Sequence, residues 1–185
     1  MRLFLHNLKL LLTEFVMKFI TPSSYMAFVG QNSADQLCAH IGRTGVKNIL
    51  IVSDKVLVEL GVVEIATRAF SSFEVQLTIF DEVTPDPTFA VVAAGAELAR
   101  QSGSEVVLAI GGGSSIDAAK IIAASAVSPT NPLDWVGFSK LKELPLPLFA
   151  IPTTSGTGSE ATLGAVISDT ESHQKFVIAD PGLQP

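Results

Sequence analysis

"AIGGGSSIDAAK", residues 109–120, is the stretch whose reading decides the fold. An apolar run, "EVVLAI" at 105–110, leads into three glycines, and a helical pattern follows over 115–127. A buried strand that turns on glycine into a helix is the repeating unit of an α/β domain. Glycines admit backbone conformations closed to other residues and let a bulky anion approach. The helix behind them offers N–H groups without intrahelical partners and the positive end of its dipole, which suits a pyrophosphate. The stretch is not G-x-G-x-x-G, because Ile116 stands at the last glycine position, nor a Walker A loop, because the G-K-[S/T] ending is missing. Ser114 and Asp117 have the spacing of a capping box. The competing reading is a tight turn without a ligand.

Outward from this turn, strand-like and helix-like segments alternate. "NILIVS" (48–53) is a short β-branched run of the kind a buried parallel strand requires. Residues 55–70 have helical periodicity, broken at Gly61, and "FEVQLTIF" (73–80) reads as a strand. "TPDPT" (84–88) is loop punctuation, and an Ala-rich helix covers 89–101. After 127, "SPTNPLDWVGF" breaks the pattern with two prolines. A strand is expected over 146–151, then the polar loop "PTTSGTGSEAT" (152–162) and a hairpin of 163–168 with 175–179. The alternation predicts a doubly wound, mostly parallel sheet, with ligands bound outside the C-terminal strand ends.

Three polar loops fall at those ends. Asp54 follows "NILIVS" directly. A carboxylate there can accept hydrogen bonds from both hydroxyls of a ribose, and it would repel a 2′-phosphate, favouring NAD over NADP. It can equally cap the helix that starts at Lys55; position alone leaves both readings open. Gly112, Gly113 and Ser114 form the second loop. Thr153, Thr154, Ser155, Thr157, Ser159 and Thr162 supply hydroxyls in the third, with the ordinary Ser/Thr-rich connection as its alternative.

Bulk composition narrows the class. Of 185 residues, 48% are hydrophobic and 16% charged, which excludes a disordered chain and predicts a large core. The net charge of −6, with no Lys/Arg run, argues against nucleic acid as a partner. A single cysteine, Cys38, allows no disulfide within the chain and fits a reducing cytoplasm. The N-terminal "MRLFLHNLKLLLTEFVMKFI" is apolar but interrupted by Arg2, His6, Lys9, Glu14 and Lys18, so no membrane span is expected. Leu5, Leu8, Leu12 and Phe15 keep helical spacing. Residues 1–16 are read as a helical extension, or as sequence upstream of a true start at Met17, and 17–185 as the α/β domain.

Taken together, "IVSDKVL", "VTPDPT", "AIGGGSSIDAAK", "AIPTTSGTGSEAT" and "SDTESHQKFVIADP" resemble the iron-containing (group III) alcohol dehydrogenase family, in its order and spacing. The resemblance covers the chain from about Lys18 onward. It implies the Rossmann-like N-terminal domain of the dehydroquinate synthase-like fold, with the family's C-terminal helical domain missing. It also implies a dinucleotide, NAD rather than NADP, and a small alcohol or aldehyde substrate. By motif, Asp54 would meet the adenosine ribose and Asp86 would lie near the cofactor. Gly112, Gly113, Ser114 and Asp117 would surround the pyrophosphate and nicotinamide side. Thr153, Thr154, Thr157 and Thr162 would line the cleft, and Val166 and Lys175 would complete it. Gly164 departs from the polar residue of some relatives.

The family's iron or zinc is held by an Asp and three His downstream of this segment. Here the histidines are His6, His40 and His173, with no ligand-type spacing among them. No catalytic or metal residue is therefore expected in the chain. The implied activity is hydride transfer between a primary alcohol and NAD in the intact enzyme, by a cytoplasmic homo-oligomer such as a dimer. Two alternatives stand beside it: a truncated, non-catalytic nucleotide-binding or assembly module, and a glycerol dehydrogenase-like polyol dehydrogenase.

Overall fold

The computed structural model describes residues 26–185. The helical extension, His6 and the start at Met17 lie outside the described residues. Four parallel strands form the central sheet: β1 (Asn48–Val52), β2 (Gln76–Phe80), β3 (Val106–Gly111) and β5 (Leu148–Pro152), in the order β2-β1-β3-β5. A second sheet, ordered β4-β7-β6, holds the hairpin of β6 (Gly164–Asp169) and β7 (Gln174–Ala179) with the two-residue β4 (Gly137–Phe138).

The apolar runs are continuous because both faces of the central sheet are covered. Ile49 and Ile51 of β1, with Val106, Leu108 and Ile110 of β3, pack against Cys38 and Ile41 of α1 (Ser33–Arg43) and Val63 and Ala66 of α3 (Val62–Thr67). Leu50, Val52, Val107 and Ala109 face the other way, onto α4 (Phe89–Gln101) and α5 (Gly113–Val127). A period of two sends alternate side chains to opposite faces, so each strand must be apolar at every position.

α5 is enclosed on both sides, by the sheet and by Ala165, Ile167 and Ile178 of the hairpin. Every residue from Ser115 to Ser125 except Asp117 is buried. That explains its composition: the helix is Ala/Ile-rich all round, without an amphipathic stripe.

The order in which strands are added to the sheet reverses between β1 and β3. β1 is followed by β2 on one side, through α2 (Lys55–Glu59) and α3, with Gly61 between them at φ +73°. The chain then returns through α4 to β3 on the other side of β1, and continues through α5 to β5. Such a switch point opens a crevice at the C-terminal ends of the two diverging strands. Those ends carry Asp54 and the glycine turn.

Several boundaries shift from the sequence reading. α5 begins at Gly113, two residues before the expected start. β2 begins at Gln76 and not Phe73, because residues Arg68–Ser72 form a 3₁₀ turn that uses up the connection. β5 runs Leu148–Pro152 instead of starting at 146.

Candidate functional site

At the switch point the C-terminal ends of β1 and β3 are tied together. Ser53 is fully buried, and its hydroxyl donates to Ile110 O at 2.7 Å. The Ser53 N–H in turn donates to Phe80 O at 2.9 Å. The three strand ends therefore stand in fixed register, and the loops leaving them border one cleft of about 780 Å³. Asp54, Leu57, Gly112–Ser115, Thr153 and Thr154 line it, with Val83, Thr84 and Pro85 as the third wall.

Asp54 is the N-cap of α2. Its Oδ1 accepts the Leu57 N–H at 3.0 Å. The cap reading is thus realised, while the second carboxylate oxygen has no such duty and the residue still lines the cleft.

Gly112 occupies the N-cap of α5 in extended conformation, with no side-chain cap. The capping box expected of Ser114 and Asp117 does not form. Glycine has taken the cap position, and Asp117 is drawn away by the Val166 N–H, which its Oδ2 accepts at 2.9 Å. The first intrahelical bond runs from Ile116 N–H to Gly112 O, so the N–H groups of Gly113, Ser114 and Ser115 have no intrahelical acceptor. Neighbouring loops hold this turn closely. A Cβ on Gly112 would sit 3.0 Å from Thr154 Oγ1, and one on Gly113 would sit 3.2 Å from Ser159 Oγ and 3.4 Å from Thr157 Cβ. The Thr153 N–H binds Gly111 O at 2.9 Å.

The remaining sequence candidates lie beyond this lining, and four of them form two pairs. Asp86 and Lys175, 89 residues apart, form an ion pair at 2.6 Å. Asp86 holds a left-handed backbone at φ +57°, a conformation Asp tolerates better than most residues. Asp117 meets Val166, as above. Thr162 is held by Lys120, whose Nζ donates to Thr162 O at 2.8 Å, to Thr162 Oγ1 at 3.3 Å and to Gly164 O at 2.7 Å. The Gly164 carbonyl thus has a partner.

Sequence reasoning passed over Lys120. Lys120 is fully buried, and burial pushes its ammonium down to about 8, with Asp117 and Glu160 pulling the other way. One signal could have found it: Asp117 and Lys120 are the only charged residues in a fifteen-residue helix of small and aliphatic side chains, spaced i,i+3.

The histidines are elsewhere. His40 packs between Phe28 and Phe149, with ring centroids at 5.8 and 6.4 Å. His173 lies in the exposed β6–β7 turn at φ +54°. Among the described residues, no three His, Cys, Asp or Glu side chains gather as a metal site needs. None of the described helices is long and apolar enough to cross a membrane.

Comparison with known proteins returns one family. Residues 24–185 match the description "Iron-containing alcohol dehydrogenase". Lactaldehyde reductase of Escherichia coli (strain K12) is 37% identical over 157 residues, covering 84% of this chain and 41% of that protein. A crystal structure of 1,3-propanediol oxidoreductase superposes with a TM-score of 0.82 at 30% identity, covering 86% of this chain and 42% of its own. Sulfoacetaldehyde reductase from Bifidobacterium kashiwanohense, solved in complex with NAD+, gives a TM-score of 0.74 at 29% identity, covering 88% and 44%. The chain thus spans about two-fifths of the length of these relatives.

Proposed function

This chain belongs to the iron-containing alcohol dehydrogenase family, and on that footing we propose that it is the NAD-binding part of an enzyme moving hydride between a primary alcohol and the cofactor. The observation that carries the reading is the convergence at one switch-point cleft of a carboxylate, Asp54, with the helix-starting turn at Gly112–Gly113. The residues fit a dinucleotide. Bare glycine backbone is what the turn offers, since a Cβ on either glycine would press on the threonine loop. The α5 amides and dipole suit the pyrophosphate, and the free oxygen of Asp54 suits a ribose and disfavours a 2′-phosphate.

When bound, the nicotinamide supplies the hydride acceptor. The chain's part is to grip and orient: Asp54 at one end, the α5 N-terminus in the middle, and Thr153, Thr154, Thr157 and Thr162 along the far wall. Asp86, Asp117, Val166 and Lys175 flank it, and Ser114 completes the turn. The described residues do not fit the family's metal. A cytoplasmic homo-oligomer acting on a small alcohol or aldehyde is part of the same proposal.

Titration of the 185-residue chain with NADH, followed by nicotinamide fluorescence, tests this reading. Saturable binding with NADH preferred over NADPH is expected; equal indifference to both would overturn it.

A further inference from the structure

An ammonium group in a helix wrapped by Ala118, Ala119, Ile121 and Ile122 needs a reason, because burying a charge is costly unless it is fully paired. Lys120 is fully paired. Its three donors meet three acceptors, Thr162 O, Thr162 Oγ1 and Gly164 O, at 2.7 to 3.3 Å. Asp117 Oδ1 stands 3.8 Å away. One turn earlier on α5, Asp117 Oδ2 takes the Val166 N–H at 2.9 Å. Two charged side chains spaced i,i+3 therefore hold residues 162, 164 and 166, three alternate positions along one passing segment. Two of these, Thr162 and Val166, are proposed cofactor neighbours. Asp117 Oδ1 is buried without a hydrogen-bond donor, so Lys120 is what balances its charge.

We propose that Lys120 is a positioning residue of the cleft: from inside the core it anchors Thr162 and Gly164 to α5 and thereby sets Thr162, Val166 and Asp117 against the glycine turn. This rests on the dinucleotide reading above. A lysine serving packing alone would be replaceable at this apolar site by methionine without loss of ligand affinity. An anchor would not, because methionine leaves two backbone carbonyls and the Asp117 carboxylate without their cation. Protonation matters too. The charged ammonium has three donors for three acceptors, and the neutral amine has two. The groups acting on it are Asp117 on its own helix and Glu160 on the 3₁₀ turn Ser159–Ala161, and burial brings its titration to about 8.

The test compares Lys120→Met with wild type in the 185-residue chain, by NADH titration across pH, amide hydrogen exchange and far-UV circular dichroism. The fold signal should persist. Exchange of the Val166 amide should rise, and NADH affinity should fall about tenfold, as the loss of one charge-assisted hydrogen bond implies. Wild-type affinity should decline as pH rises through about 8, and the variant's should not. Unchanged affinity and an unchanged pH profile in the variant would overturn the anchor. If the wild type fails to bind NADH, the dinucleotide reading falls by itself. The anchor is then decided by exchange, and an unaltered Val166 amide overturns it. Should Lys120→Met not fold, exchange of the same amide in wild type, corrected for base catalysis, decides the matter: a rise through about pH 8 supports the anchor, and a flat profile refutes it.

Discussion

Asp54 caps α2 and is proposed to meet a ribose, two roles that its two oxygens could divide and that substitution can separate. Oδ1 caps α2 through the Leu57 N–H at 3.0 Å, while the residue lines the cleft. Asn retains a side-chain oxygen for the cap and is as good an N-cap as Asp. Asp54→Asn should therefore leave stability within a few tenths of a kcal/mol, apart from the helix-dipole contribution of the charge, about 0.5 kcal/mol. Asp54→Ala removes the cap and should cost about 1 kcal/mol, a fall in Tm of roughly 2–4 °C for a domain of this size. Cofactor choice should follow charge, not stability. Both variants lose the carboxylate that would accept two ribose hydroxyls. At ~2 kcal/mol for a hydrogen bond to a charged group, NADH affinity should drop by about thirtyfold. NADPH, relieved of repulsion, should bind better than to wild type. Thermal denaturation and parallel NADH and NADPH fluorescence titrations measure both. If Asp54→Asn binds NADH like wild type while Asp54→Ala only melts earlier, Asp54 is a cap and nothing more, and the reasoning fails.

Other outcomes follow from the packing. In Gly95→Ala the new Cβ would press on Ile122 Cδ1 and lie 3.1 Å from Phe80 Cε1 across the α4–α5 contact. The clash, about 1–3 kcal/mol, should outweigh the helix-propensity gain of about 1 kcal/mol. Urea denaturation should show a net loss, smaller in an Ile122→Val background, where Cδ1 is gone. Gly113→Ala should leave Tm nearly unchanged, because Ser159 Oγ at 3.2 Å can yield, but should weaken NADH binding severalfold. The stability difference between wild type and Lys120→Met should move toward wild type as pH rises from about 8 to 10.5, by at most about 1.4 kcal/mol per pH unit. The sign follows from the folded pKa lying below the unfolded one: in that window the unfolded chain binds more protons, so rising pH favours the folded state. A slope of the opposite sign in paired denaturation curves would contradict the burial of the charged form.

The parallel sheet was legible because burial on two faces writes itself as uninterrupted apolar runs, as in Asn48–Val52 and Val106–Gly111. Legible too was the glycine turn between a strand and a helix. What misled was the capping-box spacing of Ser114 and Asp117. The cap fell to Gly112, whose backbone needs no side chain for it, and this freed Asp117 to reach 49 residues along the chain to Val166. Lys120 was hidden for a related reason. A charge in a helix reads as a solvated position, and its true partners are carbonyls that no side-chain pattern reports. β4 escaped notice because two residues carry no periodicity; its pairing with Ile178 and Ala179 of β7 exists only in the tertiary fold. For Asp54 the sequence offered cap and ribose ligand side by side, and position alone could not choose; the cap bond to the Leu57 N–H and the place in the cleft lining emerge only in the fold.

The enclosure of α5 bears on how the cleft can move. With its flanks packed on the sheet and on the hairpin, this helix has no free direction in which to slide or rotate without opening voids on both sides. The amides at its N-terminus are therefore aimed before any ligand arrives, and little conformational entropy is left to lose there on association. Motion that admits or releases a ligand falls instead to the bordering segments: the half-exposed Asp86–Lys175 pair, worth about 1 kcal/mol or less, and the exposed threonine loop. On the proposed reading, the domain offers a ligand one stationary jaw and one compliant one, and the second would set how long the ligand stays.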